Sequence, residues 1–189
     1  MRRNLLFSLV AFIFLSAVGL YFFNQYWIHR YDEVIKRQAS IYRLDPDLVW
    51  SVIYEETYFK AWERGAAEEI GLMQIRPIVA REWAKETGMR ELAKQVSEDL
   101  DSVLLEPERN IQIGSWYLEK MRDNYRGYPA EEAMMLAAYN AGASRVDEWT
   151  KADDSGNLSE QEFIERISIS STKSYVTSIL ERYRAQKKP

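Results

Sequence analysis

An uncharged apolar run near the start constrains this chain more than any other feature. The run covers nineteen residues, Leu5 to Phe23. At about 1.5 Å of helical rise per residue, it nearly crosses a hydrocarbon core of about 30 Å. Arg2 and Arg3 precede it, and the aromatic Tyr26 and Trp27 follow it, as expected of a membrane anchor with a cytoplasmic start.

A cleaved signal peptide is the alternative interpretation of this run. The run is longer than the apolar part of a signal peptide, however, and no A-x-A cleavage site follows it. In either case we expect the remaining residues to function outside the cytoplasm.

Composition restricts the chemistry available to the rest of the chain. The sequence has no cysteine and one histidine, His29, which excludes disulfides, thiolate metal sites, cysteine nucleophiles and a Ser-His-Asp relay. Three of the 25 Lys and Arg precede residue 31, so residues 31–189 carry 22 of them against all 29 Asp and Glu. Affinity for phosphates comes largely from cations, so we predict no nucleic-acid partner. An anionic polymer would have to be held by a shaped groove.

Beyond the apolar run, the sequence pattern is helical. No strand alternation persists, whereas apolar residues recur at helical spacing. Caps and prolines mark helix starts, such as Asp45 before Pro46. The predicted helices are 31–42, 45–59, 77–87, 107–125, 129–139, 144–150, 159–166 and 172–186. We predict an anchor at 1–28, a helical stem at 29–44 and an all-α domain at 45–189.

A glutamate interrupts the apolar face of the helix that starts after Asp45. Glu56 lies four residues after Val52 and three after Ile53, so it shares their core-facing side. An apolar setting disfavours the ionised form and raises the pKa, which lets a glutamate hold and donate a proton near neutral pH. A buried glutamate paired with an arginine or capped by amides is the alternative on helix geometry alone.

Four sequence blocks place this glutamate in a wider pattern. In order they are VIYEETYF (52–59), GLMQIRP (71–77), NIQIGSWYL (110–118) and AYNAG (138–142), with a weaker fifth block over 163–176. Their order and spacing resemble the lytic transglycosylases of the soluble-lytic-transglycosylase (SLT) type, in the lysozyme-like superfamily and glycoside hydrolase family 23. The resemblance covers nearly all of residues 46–180. It implies an all-α, lysozyme-like (goose-type/SLT) catalytic domain, here preceded by the predicted N-terminal transmembrane helix.

The resemblance also implies a reaction. The family cleaves the β-1,4 bond between N-acetylmuramic acid and N-acetylglucosamine in peptidoglycan glycan strands. Glu56 matches its single catalytic acid, which protonates the leaving oxygen and then takes the proton of the sugar's own 6-hydroxyl, leaving a 1,6-anhydro end. No cofactor and no metal is implied. We therefore expect a single-pass protein of the cytoplasmic (inner) membrane with its catalytic domain on the periplasmic side, and a protein partner in an envelope complex stays open.

Two blocks supply expected substrate contacts beside Glu56. Thr57 stands where the family usually has serine, and we expect it to support Glu56 or the adjacent loop. Met73 and Gln74 resemble one wall of the family's cleft. Met73 offers an apolar surface for a sugar face, and Gln74 can donate to and accept from an N-acetyl or hydroxyl group. Asn110 is expected to serve packing.

Two later blocks supply the opposite wall. The resemblance implies that Tyr139 hydrogen-bonds near the Glu56 carboxyl and that Asn140 binds an acetamido group. Glu165 matches a family glutamate that borders the substrate, and Tyr175 matches a tyrosine that faces the cleft. The sequence around these last two residues departs from the family pattern.

The segment before GLMQ also departs from the family pattern. Arg64 to Gly71 is RGAAEEIG, where the family often has Ser-x-x-Gly-Ala-x-Gly. Glu68 or Glu69 should lie near the cleft and either raise the pKa of Glu56 by repulsion or position a water. A positioned water would favour hydrolysis. One alternative is therefore a lysozyme-type hydrolase on the same fold. A separate alternative is a non-catalytic glycan-binding envelope scaffold.

Residues 151–162 imitate part of a calcium-binding EF-hand loop. With Gly156 at position six, Lys151 occupies position one, where an acid is needed. We therefore predict a polar surface loop and no metal site.

Overall fold

The computed structural model describes residues 2–88, 90–151 and 157–188, and in these ranges eleven helices form. They are α1 Arg2–His29, α2 Asp32–Ile41, α3 Pro46–Thr57, α4 Pro77–Glu86, α5 Arg90–Glu98, α6 Leu100–Leu105, α7 Pro107–Asp123, α8 Glu131–Ala141, α9 Ala143–Thr150, α10 Glu160–Arg166 and α11 Ser170–Gln186. No strand forms in these ranges, so the all-α prediction is confirmed. Residues 152–156 of the segment that imitates an EF-hand loop lie outside the described residues.

The predicted helices of the domain form within two residues of their expected ends. The cap at Asp45 is confirmed, since its side chain accepts the amide of Asp47 at 2.9 Å. Two helices, α5 and α6, were missed. The Asp99 side chain accepts the Ser102 amide at 3.1 Å and starts α6 directly after α5, so no glycine or proline marks the boundary between them.

The core is built around α8. Residues 133–138 of this helix are all buried, and α8 packs against α7, α9, α10 and α11. On one side of this core, α3 lies between α11 and α2. Ile35 and Ala39 of α2 belong to the same core, although the sequence placed them in a stem. The division at residues 29 and 45 stays a prediction.

The first helix differs from the others because its apolar side chains face outward. Phe12, Phe14 and Phe22 are all exposed. Among the described helices, the one near the N-terminus is long and apolar enough to cross a membrane by length and composition.

Candidate active site

Glu56 lies next to the last residue of α3, at the point where the chain leaves the core. Tyr58 and Phe59 follow with φ angles of 51° and 62°, and Tyr58 ends the helix in the left-handed conformation. Phe59 is fully buried, which holds this turn in place. The glutamate is therefore presented from a helix fixed by packing at both ends, the arrangement expected for a side chain that needs a defined position.

A cleft crosses the protein surface at Glu56. Glu56 lines a cavity of about 230 Å³ together with Glu69, Gln74, Arg76, Tyr139 and Asn140. A second cavity, of about 190 Å³, has four of these wall residues in common with it and extends to Ile78, Glu82, Tyr117 and Gly142. A third cavity, of about 360 Å³, is lined by Arg64, Glu68, Glu69 and Asp101. The Glu56 cavity shares Gln74, Arg76, Tyr139 and Asn140 with the second cavity and Glu69 with the third, and the three together are called the cleft below.

The surroundings of Glu56 favour a protonated carboxyl. Burial raises its pKa from the ordinary value of 4.5 to about 7, and the negative charges of Glu69 and Glu55 act in the same direction. The Tyr175 hydroxyl donates to Oε1 of Glu56 at 2.7 Å, which opposes this rise by stabilising the ionised form. Arg182 pairs at 2.9 Å with Glu55, so within the described residues the alternative of an arginine-paired Glu56 finds no support.

Two residues predicted to bind substrate are buried instead. Thr57 donates to the Leu72 carbonyl at 3.0 Å, which ties the end of α3 to the GLMQ block and matches the expected supporting place. Met73 is fully buried, and its side chain packs against Gly114 of α7. The expected sugar-facing surface of Met73 is therefore wrong, because Gly114 leaves room for its side chain in the core.

Gln74, Tyr139 and Asn140 do line the cleft beside Glu56. The side-chain amide of Gln74 donates to the Gly71 carbonyl at 2.9 Å, and Asn140 accepts from the Thr172 hydroxyl at 2.7 Å. Tyr139 donates to the Met73 carbonyl at 2.7 Å. The tyrosine that bonds to Glu56 is thus Tyr175 and not Tyr139, because Tyr139 is already committed to the backbone of the opposite wall.

The two residues of the weak fifth block separate in the structure. Tyr175 of α11 reaches Glu56, 119 positions away in the chain. Glu165 is exposed on α10, accepts from Gln161 at 3.3 Å and lines none of the three cavities of the cleft. The structure therefore brings Tyr175 into the site and leaves Glu165 outside it.

The sequence reasoning missed two cleft residues. Arg76 lies within the GLMQIRP block and lines two of the three cavities, so its position two residues after Gln74 was the available signal. Tyr117 lies within the NIQIGSWYL block and was not predicted to contact substrate. Its ring lies 5.3 Å from that of Tyr139, and the two rings form an aromatic wall of the cleft.

Asn110 holds the GLMQ loop in place, as expected of a packing residue. It is buried, accepts the Met73 amide at 2.7 Å, and donates to the carbonyls of Ile70 and Leu104 at 2.8 Å each. Gly71 lies against Asn110 with a φ of 80°, where a side chain would collide with the amide.

An all-α fold whose helices enclose a cleft around one partly buried glutamate defines a lysozyme-like domain. Residues 33–162, more than half of the chain, match the family described as Transglycosylase SLT domain, and the chain belongs to that family. The structure is similar to that of an inactive mutant of lytic transglycosylase Slt from Pseudomonas aeruginosa, with a TM-score of 0.72 and 25% sequence identity over 85% of this chain and 25% of that one.

Two curated relatives are likewise named lytic murein transglycosylases. The chain is 28% identical over 150 residues to soluble lytic murein transglycosylase of Escherichia coli, which covers 79% of this chain and 22% of the relative. It is 30% identical over 122 residues to membrane-bound lytic murein transglycosylase C of Histophilus somni, which covers 62% of this chain and 32% of the relative. The chain thus spans less than half the length of these relatives.

Proposed function

We propose that this chain is a peptidoglycan lytic transglycosylase that cleaves the β-1,4 bond between N-acetylmuramic acid and N-acetylglucosamine and leaves 1,6-anhydro ends. The observation that carries the proposal is Glu56, a partly buried carboxyl that lines the cleft and has a pKa raised to about 7. A carboxyl of this pKa is largely protonated below neutral pH, yet ionises readily once it has given its proton away. The family membership and the names of the relatives support the substrate class.

In the proposed reaction Glu56 first donates its proton to the glycosidic oxygen, and the bond from C1 to that oxygen breaks. The 6-hydroxyl of the same muramic acid then attacks C1, and its proton passes to the Glu56 carboxylate. No water is consumed, and the enzyme returns to its protonated form. Tyr175, which donates to one carboxyl oxygen, stabilises the ionised intermediate and leaves the other oxygen for the proton transfer.

The polar cleft residues are the proposed substrate contacts. Gln74 and Asn140 present side-chain amides beside Glu56, which suit the N-acetyl and hydroxyl groups of a sugar. The Tyr117 and Tyr139 rings offer an apolar wall for a sugar face. Arg76 supplies a cation for a carboxylate of the muramic acid or its stem peptide.

We further propose that α1 anchors the protein in the cytoplasmic membrane, with residues 45–189 as the catalytic domain on the periplasmic side. The two arginines before the apolar run favour a cytoplasmic N-terminus. A relative that is described as membrane-bound fits an anchored protein.

A specific observation favours hydrolysis as the second candidate. Glu69 lines the same cavity as Glu56, and its carboxylate is positioned by the amide of Ala67 at 2.8 Å. A second carboxylate beside the acid can activate a water, as in glycosidases that use two carboxylates. The product would then be a reducing end.

Mass spectrometry of the products tests the proposal. The full chain in a mild detergent is incubated with purified peptidoglycan beside Glu56→Gln and the matched control Glu55→Gln, which alters the neighbouring carboxylate that pairs with Arg182. We expect anhydro-muropeptides, one water lighter than hydrolysed ones, and a loss of at least about 100-fold in Glu56→Gln alone. Reducing ends would establish the hydrolase. Equal release by Glu56→Gln would remove Glu56 from the mechanism.

A further inference from the structure

The end of α1 is bonded directly to the residues that terminate the helix of Glu56. Trp27 Nε1 donates to the Tyr58 carbonyl at 2.9 Å. In the same region, Trp50 Nε1 of α3 donates to the Ile28 carbonyl at 3.0 Å. The anchor and the catalytic helix are therefore joined by reciprocal hydrogen bonds and not by a free linker.

Two polar contacts strengthen this junction. Arg30 stacks over the Trp27 ring at 3.4 Å and donates to the Phe59 carbonyl. The Tyr58 hydroxyl donates to the side chain of Asn24. Asn24 and Trp27 follow the last residue of the uncharged run by one and four positions.

These positions fix the depth of the junction in a bilayer. If the uncharged run fills the hydrocarbon core, Asn24 and Trp27 lie about 1.5–6 Å beyond its edge, in the headgroup layer. Side chains in contact with them must lie at a similar depth. Trp62 is 61% exposed, and its ring centroid lies 5.7 Å from that of Trp27. An exposed tryptophan beside a membrane helix suits the interface, where its ring is buried and its N–H is hydrated.

We propose that the loop from Tyr58 to Trp62 lies in the headgroup layer of the bilayer that α1 crosses, which holds the cleft at a fixed, short distance from the membrane surface. Glu56 is two residues from Tyr58, so their Cα atoms are at most about 8 Å apart. The substrate of the anchored protein is then glycan close to the membrane surface. This inference rests on the proposed anchor and on the proposed action on peptidoglycan.

Site-specific fluorescence tests the depth of the loop. The chain has no cysteine, so one introduced cysteine is a unique labelling position. The full chain carrying Trp62→Cys, labelled with an environment-sensitive fluorophore, is placed in phosphatidylcholine vesicles with a fraction of nitroxide-labelled lipid. The matched control is Asn124→Cys, exposed just after α7. Arg122, two residues before Asn124, donates to the Arg43 carbonyl at 2.7 Å. This contact places position 124 near the end of α2 that is far from α1.

We expect the label at position 62 to lose about half of its fluorescence or more in nitroxide vesicles, as a probe in the interface should, whereas the label at position 124 is unaffected. Equal quenching at both positions, or none at position 62, would overturn the proposal. Removal of α1 from the chain, visible as a smaller mass, would also overturn it.

Activity in the same vesicles separates this inference from the proposed function. Glycan strands attached to a lipid are compared with soluble strands, using the chain and its Trp62→Glu variant. We expect the variant to cleave the lipid-attached strands at least about threefold more slowly, because the cleft loses its fixed distance to them, and to cleave soluble strands equally. An equal effect on both substrates overturns the inference but leaves the activity. Quenching at position 62 without any product supports the membrane contact and overturns the proposed function.

Discussion

At the scale of single residues, Glu56 has two neighbours that act on its pKa in opposite directions. Glu69 raises the pKa by repulsion, and Tyr175 lowers it by donating a hydrogen bond. An acid catalyst loses activity as the pH rises through its pKa. We therefore expect Glu69→Gln to move this decline to lower pH and Tyr175→Phe to move it to higher pH, each by about half a pH unit or more.

The measurement is kcat/KM against pH for both variants and for the parent chain. Glu68→Gln is the matched control, because Glu68 lines the adjoining cavity and is not among the groups that shift the pKa of Glu56. A decline that moves in the same direction in both variants would show that Glu56 is not the titrating group.

The raised pKa of Glu56 also predicts an effect on stability. Between the ordinary value of 4.5 and about 7, the folded chain binds more protons than the unfolded chain. The stability that the raised pKa of Glu56 contributes is therefore fully present below pH 4.5, and it is lost as the pH rises through about 7. We expect Glu56→Gln, which cannot ionise, to increase the free energy of unfolding by about 2–3 kcal/mol at pH 8 and by little at pH 4.5.

Unfolding of the full chain in detergent at these two pH values checks this prediction. Glu55→Gln should show no such gain, because its ionised form is paired with Arg182. A destabilised Glu56→Gln at pH 8 would mean that the carboxylate makes contacts which compensate for its burial.

At the scale of helices and loops, the sequence predicted what depends on local pattern. The place of Glu56 on the apolar face of its helix and the two glutamates just before GLMQ, Glu68 and Glu69, indicated a perturbed acid, although the sequence did not decide between those two. The hydrogen bond to Tyr175 joins residues 119 positions apart, and it depends on how α11 packs on α3. The burial of Met73 depends in the same way on a glycine of α7. Neither contact could be predicted from helical periodicity, because each joins residues that are far apart in the chain.

The link between α3 and the GLMQ loop predicts a contrast at Thr57. Its hydroxyl donates to the carbonyl of Leu72, a fully buried residue. Thr57→Val keeps the volume but leaves this carbonyl without its partner, and we expect a loss of about 1–3 kcal/mol in stability. Thr57→Ser keeps the hydroxyl and removes one methyl group, so a loss of about 1 kcal/mol or less is expected.

Thermal unfolding and kcat/KM of the two variants test this contrast. Because the loop carries Gln74, we expect kcat/KM to fall with stability in Thr57→Val and to stay near the parent value in Thr57→Ser. A serine variant that is worse than the valine variant would assign the role of Thr57 to its methyl group.

At the scale of the whole molecule, the net negative charge of the domain opposes the approach of the substrate, whereas the shape of the cleft must bind it. Residues 31–189 carry 22 Lys and Arg against 29 Asp and Glu, and the proposed substrate is itself anionic through its stem peptides. Long-range attraction therefore cannot collect the substrate, and its binding must come from the cleft. The junction between α1 and α3 compensates for the missing attraction, because an enzyme held at the membrane surface meets nearby strands at a high effective concentration.

The repulsion between the acidic domain and the anionic strands predicts that activity rises with salt concentration. Raising the ionic strength from 0.01 to 0.15 M shortens the screening length from about 30 to about 8 Å and so weakens the repulsion between domain and strand. We expect kcat/KM on soluble strands to rise by about two- to fivefold while kcat stays constant, because repulsion slows the encounter and not the chemistry. Initial rates on strands whose stem carboxyls have been converted to amides are the control and should not respond to salt. A kcat/KM that falls with salt would mean that the local cation Arg76, and not the net charge of the domain, dominates the encounter.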